Sequence, residues 1–484
     1  MTGDATFFWH DYETTGTDPR RDRPLQFAGV RTDADLEMIE SPKVLYCQPP
    51  RDLLPAPGAC AVTGIGPRRA EAEGLIEADF AAAVHAELAR PGTCGVGYNS
   101  LRFDDEVTRH LLWRNFYDPY AREWAHGNSR WDVIDLFRAA RALRPEGLEW
   151  PDHEPGVPSF RLEDLAAANG IAHDAHDALA DVHATIELVR HLRRAQPRLY
   201  NYALAARDRR RSADLLALDA TEPVLHVSGR YPARRGCIAP VAALARHPVD
   251  RSGVIVVDLA AEPDALIERD PEELAAALFT PAEERDDTQP VVPLRVVKTN
   301  RFPLLAPLST LTPAAARRLE LDPTKARERL ARLRATPGLS ARLERVFTPP
   351  ERDEPDPDTA LYAGLLDDRE RERMAAVRQQ PPDALATFDP GFADRRLAPL
   401  LWRYRARNWP ETLGSEEQTV WRDLRWRRLC RGEAGSPRDR AAFRDELARL
   451  QAEQRLSAAL AAELTEWEQN LFADLPPCGG GDAA

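Results

Sequence analysis

Three segments of this 484-residue chain place carboxylates beside strongly apolar patterns, and their order constrains the fold more than any other feature. The first segment is TFFWHDYE, residues 6–13, whose aromatic and apolar enrichment is typical of a buried β-strand. Side chains of a strand alternate between two faces, so Asp11 and Glu13 lie on the same face. The sequence therefore predicts a strand that directs two carboxylates toward one point.

The second segment is YNSLRFDDEVTRH, in which a strand-like stretch gives way to a helical pattern. Val107 and Leu111 lie on one stripe of the predicted helix, and Asp104 lies at its N-terminal end. Exposed backbone amides and the helix dipole favour an anion at this end of a helix. Asp104 is therefore a candidate metal ligand.

The third segment is AHDALADVHATI, which contains His176 and Asp181. Its apolar residues predict a helix that Asp177 caps and on which Asp181 lies beside the buried stripe. The stripe comprises Val182, Ile186 and Val189. On a continuous helix, His176 would lie roughly 140° around the axis from Asp181. We therefore expect His176 to belong to the preceding loop, from which it can reach over the site.

Together the three segments predict a nuclease with two metal ions. Four ionised carboxylates that lie close together repel each other unless divalent cations neutralise them. Mg²⁺ prefers oxygen ligands, keeps several waters and often completes its shell with substrate phosphate. A lone Asp-x-Glu on a strand is more often a solvated edge, but the order and context of the segments favour the catalytic interpretation.

Composition restricts the class of protein further. The length exceeds what one hydrophobic core usually supports, so we expect several domains. The net charge of −13 describes the whole surface, whereas local arginine clusters govern nucleic-acid binding. The chain has no apolar run of membrane length and no signal-peptide pattern, which predicts a cytoplasmic protein without a membrane partner. The six cysteines include no CxxC pair, which favours reduced thiols over a zinc site or disulfide framework.

The pattern of elements predicts three consecutive domains. Strand-like runs followed by helical patterns predict an α/β domain over residues 6–195. Short β-like runs between Pro, Gly and charged turns predict a small β-rich domain over residues 197–350. After the acidic, proline-bearing stretch TPPERDEPDPDTA, helical patterns predict an α-helical domain over residues 355–475.

Longer motifs resemble bacterial exonuclease I, a member of the DEDDh group of 3′-to-5′ exonucleases. They are HDYETTG, YNSLRFDDEVTRHLLWRNFYDPY, NSRWDVIDLFRAARALRPEG, PSFRLEDLAAANGI, HDALADVHATI, LHVSG, VVPLRVVKTNRFPLLA and LLWRYRARNWPETL. The resemblance covers nearly the whole chain and weakens after about residue 415. It implies an RNase H-like exonuclease domain, a small SH3-like β domain and an α-helical C-terminal domain. It also implies a monomer that processively degrades single-stranded DNA to nucleoside 5′-monophosphates in DNA repair and recombination.

The resemblance assigns roles to the five candidate residues. Asp11 bridges two Mg²⁺ ions, Glu13 and Asp181 hold one of them, and Asp104 serves the second through water. Two ions about 4 Å apart can stabilise the attacking and leaving oxygens of an in-line displacement. His176 takes the proton from the attacking water, and an ordinary histidine pKa of roughly 6.5 leaves it mostly neutral, as a general base requires.

The resemblance also places several side chains along the path of the single strand. They are Glu13, Arg109, Tyr120, Trp124, Arg138 and Arg161. Arginines can hold phosphates and aromatic rings can stack on bases, although such residues on an amphipathic helix are as often packing. The segments WRYRARNW and WRDLRWRRL, from residue 402 to 429, could close over the strand, but tryptophans at helical spacing are equally typical of a core.

A protein partner is implied in the same way. The family binds the acidic, hydrophobic C-terminal tail of single-stranded DNA-binding protein where the catalytic and SH3-like domains meet, and Arg144 and Tyr202 match segments of that pocket. An arginine suits a terminal carboxylate, and an aromatic wall suits an apolar tail residue. Arg144 could instead only cap the helix predicted over residues 131–143. Residues 306–312, APLSTLT, contain no basic residue, so we expect weaker tail binding than is usual in the family.

Two other functions remain open. An RNA-processing or proofreading exonuclease of the same superfamily would carry the same five active residues, although the additional domains argue against it. A catalytically idle DNA-repair scaffold would not need the complete set of four carboxylates and a histidine.

Overall fold

The computed structural model describes residues 5–173, 177–280, 292–348 and 355–478. The chain divides into two compact units. Unit 1 comprises Met1–Arg130, His173–Ile186 and Asp353–Ala484, and unit 2 comprises Trp131–Ala172 and Glu187–Arg352. These units do not follow the three consecutive segments expected from the sequence, whose bounds stay a prediction.

A five-stranded sheet carries the first candidate residues. Its strands are β1 (Thr6–Thr14), β2 (Pro24–Thr32), β3 (Lys43–Tyr46), β4 (Thr93–Gly97) and β5 (Ser129–Asp132), in the order β3-β2-β1-β4-β5. The central strand β1 pairs antiparallel with β2 and parallel with β4. Phe7, Phe8 and Trp9 are at most 1% exposed, because β1 is covered on both faces of the sheet. The predicted buried strand is confirmed.

Helices follow and connect these strands, which confirms the α/β prediction. They are α1 (Pro57–Thr63), α2 (Pro67–Glu73), α3 (Glu77–Leu88), α4 (Asp104–Arg114), α5 (Ile134–Leu143), α6 (Leu162–Ala168) and α7 (Ala178–Ala195). Two short strands, β6 (Asp152–Glu154) and β7 (Val157–Pro158), pair with each other before α6. Val107 and Leu111 of α4 pack with Phe8 and Phe27 of the sheet. The predicted stripe of α7 is buried as well.

Unit 2 contains a second five-stranded sheet, of order β11-β10-β9-β8-β12. Its strands are β8 (Val224–Val227), β9 (Ile238–Arg246), β10 (Gly253–Asp258), β11 (Leu294–Lys298) and β12 (Leu305–Pro307). The helices that precede, interrupt or follow these strands are α8 (Pro197–Ala205), α9 (Arg209–Leu215), α10 (Asp264–Glu268), α11 (Pro271–Phe279), α12 (Pro313–Arg318), α13 (Pro323–Arg334) and α14 (Leu339–Val346). The expected sheet is present, but the prediction of a β-rich domain missed these helices. Leu330 of α13 and Leu343 of α14 share a core with Ile255 and Val257 of β10, which explains why the helices are ordered here.

The C-terminal part of unit 1 is helical, as predicted. Its helices are α15 (Asp368–Arg378), α16 (Leu397–Asn408), α17 (Ser415–Arg431), α18 (Arg440–Ala452) and α19 (Ala458–Phe472). Phe443 of α18 and Leu464 of α19 pack in one core with Leu54 and Cys60. This core joins the helical part to the part of unit 1 that carries the first sheet. No helix in the described residues is long and apolar enough to cross a membrane.

The expectation that all cysteines are free thiols is wrong for one pair. Cys430 of α17 and Cys478 form a disulfide, with their Cα atoms 5.2 Å apart. The two residues are 48 positions apart in the chain, so no CxxC spacing could reveal them. Cys47, Cys60, Cys94 and Cys237 are buried and lie outside this disulfide.

Candidate active site

Three of the predicted carboxylates meet at the centre of the first sheet. Asp11, Glu13 and Asp181 each bring a ligand oxygen within 4.8 Å of the others. Alternation along β1 places the first two side chains on one face, and the first turn of α7 supplies Asp181. The Asp177 carboxylate accepts a hydrogen bond from the Ala180 amide at 3.0 Å, so it caps α7 as predicted.

Asp104 lies beside this group, at the first position of α4. Its side chain is buried, and Oδ1 accepts a hydrogen bond from the Tyr12 amide of β1 at 3.2 Å. The Thr108 hydroxyl lies 2.8 Å from the Asp104 carbonyl oxygen and 3.0 Å from the Tyr12 hydroxyl. These contacts fasten the first turn of α4 to the strand that carries the other two ligands.

The electrostatics of the group indicate that cations belong there. Burial raises the pKa of Asp11 well above its ordinary value, and repulsion from Asp104, Glu13 and Asp181 raises it further. Burial and the charges of Asp181 and Asp104 raise the pKa of Glu13 to about 8. A divalent cation among these oxygens would offset the repulsion, and a donor set made only of carboxylate oxygens fits Mg²⁺.

The candidate general base, His176, lies outside the described residues, so its role stays a prediction. The structure instead places His173 at the site, where Nε2 contacts Asp181 Oδ1. Sequence reasoning missed His173, although IAHDAHD contains two histidines before the helix. A histidine that holds a ligand carboxylate orients that ligand.

Among the residues assigned to the DNA path, Trp124 and Arg109 have opposite environments. Trp124 is 68% exposed, so its indole is available for stacking. The Arg109 side chain is buried, and it donates to Glu123 at 2.8 and 2.9 Å and to Glu106 at 3.1 Å. Its guanidinium also lies 5.2 Å from the centre of the Tyr120 ring. The Arg109 charge is thus paired inside the protein, and its predicted contact with a DNA phosphate stays a prediction.

The remaining path residues belong to unit 2. Arg138 on α5 pairs with Asp135 at 2.7 Å and lies 5.9 Å from the centre of the Phe160 ring. Arg161 precedes α6 and is exposed, so its charge is available to a ligand. Contacts of Arg138 and Arg161 with DNA stay predictions.

The two candidate partner residues also lie in unit 2. Arg144 ends α5: its amide donates to the Ala140 carbonyl at 2.8 Å and its Nη1 to the Leu143 carbonyl at 2.5 Å. The Tyr202 hydroxyl donates to the Leu305 carbonyl at 2.7 Å. Arg144 thus caps the C-terminal end of α5, which was the alternative to a role in partner binding. Its contact with a partner stays a prediction.

The structure shows a buried ion-pair network that sequence reasoning missed. Asp105 follows the candidate ligand Asp104 and pairs with Arg122 and Arg130. Arg130 also contacts Glu123, which extends the network to Arg109. The sequence proposed Asp104 as a ligand from its place at the start of the helix, but it could not show that Asp105 pairs with two arginines that are 17 and 25 positions away.

A sheet whose central strand and two adjacent helices gather oxygen ligands defines an exonuclease of the α/β class, and residues 8–189 match the family described as Exonuclease. Residues 207–349 match the Exonuclease I SH3-like domain, and residues 355–471 match the Exonuclease I C-terminal domain. The chain belongs to the exonuclease I family and is an exodeoxyribonuclease.

Similar proteins support this family assignment over most of the chain. Exodeoxyribonuclease I of Escherichia coli is 45% identical over 424 residues, which cover 87% of this chain and 89% of the relative. The structure of a moderately thermophilic exonuclease I from Methylocaldum szegediense has a TM-score of 0.92 at 46% identity and covers 97% of this chain and 100% of its own. E. coli exonuclease I in complex with a dA16 oligonucleotide has a TM-score of 0.90 at 42% identity, with the same coverage of both chains.

Proposed function

We propose that this enzyme uses Mg²⁺ to degrade single-stranded DNA processively from the 3′ end, with release of nucleoside 5′-monophosphates. The observation that carries the proposal is the convergence of Asp11, Glu13 and Asp181, with Asp104 beside them. The complex of the E. coli relative with an oligonucleotide supports a strand as substrate. Family membership supports action as a monomer in DNA repair and recombination.

The carboxylates determine where the reaction takes place. Asp11, Glu13 and Asp181 would hold one cation, and Asp11 and Asp104 the second. Bound Mg²⁺ would supply Lewis-acid stabilisation of the charge that develops on the phosphate oxygens. The chain's own contribution is a partly buried, pre-organised oxygen set, since β1, α4 and α7 carry all four carboxylates.

Two further roles belong to groups outside the carboxylates. His176 accepts the proton of the attacking water, and its place two residues before α7 keeps it close in the chain to Asp181. Trp124 stacks on a base, and Arg161 attracts a phosphate, because both side chains are exposed.

One time course tests substrate and polarity together. Single-stranded DNA labelled at the 3′ or the 5′ end, duplex DNA and RNA of equal sequence are incubated with Mg²⁺ or with a chelator. We expect early release of 3′ label as mononucleotide from single-stranded DNA, and no release in the chelator. Preferential cutting of RNA would favour the RNA-processing alternative, and no hydrolysis in any arm would favour the scaffold.

We also propose that the acidic C-terminal tail of single-stranded DNA-binding protein binds unit 2 near Arg144 and Tyr202. Residues 306–312 contribute no cation, so we still expect weaker tail binding than is usual in the family, but two other arginines contact the same elements. Arg318 donates to the carbonyls of Arg141 and Ala142 at the end of α5. The Arg211 guanidinium lies 4.2 Å from the centre of the Tyr202 ring. Positive charge beside an aromatic ring suits an acidic, apolar peptide end.

A further inference from the structure

A cavity of about 560 Å³ lies in unit 1, away from the candidate metal ligands. Its walls come from residue 51, from α16 and α17, and from the end of α19. The volume lies within the range of roughly 300–1,000 Å³ that is usual for small-molecule sites. Four arginines line it, namely Arg51, Arg407, Arg422 and Arg425.

The wall behind the cavity is a buried cluster of ion pairs. Arg407 binds Asp358 at 2.6 Å and Asp52 at 2.8 Å, and Asp358 also contacts Arg23, Arg403 and Arg428. With Asp356, which pairs with Arg403, the cluster contains four guanidinium groups and three carboxylates. Burial alone would raise the pKa of Asp52, yet Arg407 and Arg428 hold it well below its usual range. With four guanidinium groups against three ionised carboxylates the cluster carries one excess positive charge, and Arg407 is the member that lines the cavity.

The rim of the cavity adds further positive charge. Arg425 pairs with Asp474 at 2.8 Å, and Arg51 pairs with Glu71. Arg422 is exposed, and no ion pair is shown for it within the part of the chain that the structure describes. Wall and rim together hold seven arginines and five carboxylates. This excess of cations is notable in a chain of net charge −13, and it favours an anionic ligand.

The rest of the lining indicates what the anion is attached to. Trp421 and Leu413 form an apolar wall, and Trp402 supports the Trp421 ring edge-on at 6.0 Å between centroids. Asn470 adds a side-chain amide, as does Gln418, whose Nε2 donates to the Leu413 carbonyl at 3.0 Å. An apolar aromatic wall, amides and guanidinium groups match a base and a phosphate.

We propose that this cavity binds a nucleotide, with its phosphate toward Arg51 and Arg422 and its base along Trp421 and Leu413. The site goes beyond the proposed nuclease function, since it shares no residue with the metal ligands. It also gives a role to Arg422, the exposed arginine of WRDLRWRRL that lines the cavity. A free mononucleotide and a nucleotide within a strand present the same chemistry, so the test separates these two sources.

Calorimetric titration of the full chain with dTMP, in a chelator and at low salt, tests the proposal without turnover. The R51A/R422A double variant should bind dTMP at least tenfold more weakly than the parent. Arg427→Ala is the matched control, because Arg427 lies on the same helix, pairs with Asp423 and does not line the cavity. That control should bind as the parent does, and all variants should melt cooperatively by circular dichroism.

Two further ligands sharpen the result. Thymidine lacks the phosphate and should bind the parent at least tenfold more weakly than dTMP. The affinity for a (dT)12 strand is then measured in the same double variant. If it falls together with the affinity for dTMP, nucleotides of a strand enter the cavity. If it is unchanged, the site binds the free nucleotide. The proposal is overturned if the parent does not bind dTMP saturably, if the double variant binds dTMP equally well, or if thymidine matches dTMP. None of these outcomes depends on hydrolysis, so they test the cavity proposal independently of the proposed nuclease function.

Discussion

At the scale of single residues, replacing one candidate metal ligand tests whether turnover and binding of single-stranded DNA depend on different side chains. We predict that Asp181→Asn abolishes turnover, because it removes a metal ligand, while affinity for single-stranded DNA survives through arginines elsewhere. Rates on end-labelled DNA and anisotropy of a labelled strand measure the two properties. Glu187→Gln on the same helix is the control, since Glu187 pairs with Arg190 and is not among the candidate metal ligands. Near-normal turnover by Asp181→Asn would contradict the metal assignment.

The two histidines before α7 call for a separate test. We predict that His176→Ala lowers turnover by about 10²- to 10⁴-fold with little change in DNA affinity, because only proton transfer is lost. His173→Ala should instead raise the Mg²⁺ concentration needed for half-maximal rate, because His173 contacts and orients Asp181. Single-turnover rates across a Mg²⁺ titration distinguish the two effects. A larger loss of maximal rate in His173→Ala would assign the base to His173.

The sequence could predict the placement of a residue where that placement depends on neighbours in the chain. Asp11 and Glu13 share a face by strand alternation alone, and Asp177 caps α7 by a contact three residues away. The environment of Arg109 could not be predicted, because Glu123 lies 14 positions from it and its burial depends on packing.

At the scale of elements, the start of α4 depends on charges that it buries. Asp105 is 2% exposed and pairs with Arg122 and Arg130. We predict that Arg122→Ala destabilises the protein by about 3–5 kcal/mol, because it removes one partner of a buried ion pair. Urea unfolding measures the change.

An exposed ion pair provides the comparison for this prediction. Arg449 and Glu453 pair one turn apart on the surface of α18, and Arg449→Ala should cost about 0–1 kcal/mol. Equal losses in the two variants would show that burial does not govern the network around Asp105. Turnover that falls in Arg122→Ala more than stability requires would further indicate that this network positions Asp104.

Apolar periodicity predicted the elements that bury one clear apolar stripe. It failed for a helix in which charged residues outnumber the apolar ones. β1, α4 and α7 were predicted because their apolar residues recur at strand or helix spacing. The sequence of α13, PTKARERLARLR, is dominated by charged residues, so its few buried leucines gave too weak a signal. The order of strands in either sheet could not be predicted, since it depends on contacts between distant segments.

At the scale of the whole molecule, the abundance of arginine is explained in part by ion pairs that join distant segments. Residues 23, 52, 358, 407 and 428 meet in one buried cluster, which connects the sheet region of unit 1 to its C-terminal helices. Arg407 and Arg428 of the segments at 402–429 belong to this cluster, and whether these segments close over a strand stays a prediction. Pieces from both ends of the chain form unit 1, and the bounds of the three consecutive domains expected from the pattern of elements stay a prediction.

The proposed partner gives the last prediction. Arg144→Ala should weaken binding of a peptide with the acidic, hydrophobic tail of single-stranded DNA-binding protein, because it removes a cation that can bind the terminal carboxylate. It should also reduce stimulation by the coated strand without impairing degradation of naked DNA.

A titration at low salt measures this affinity, and Tyr202→Phe is the control. That change removes the hydrogen bond to the Leu305 carbonyl but keeps the aromatic wall, so peptide affinity should stay near that of the parent. Melting curves separate the effect of Arg144 on the peptide from its role at the end of α5, since a lost cap lowers the melting temperature of the free protein. Unchanged peptide affinity in Arg144→Ala would move the site elsewhere on the molecule or remove this partner.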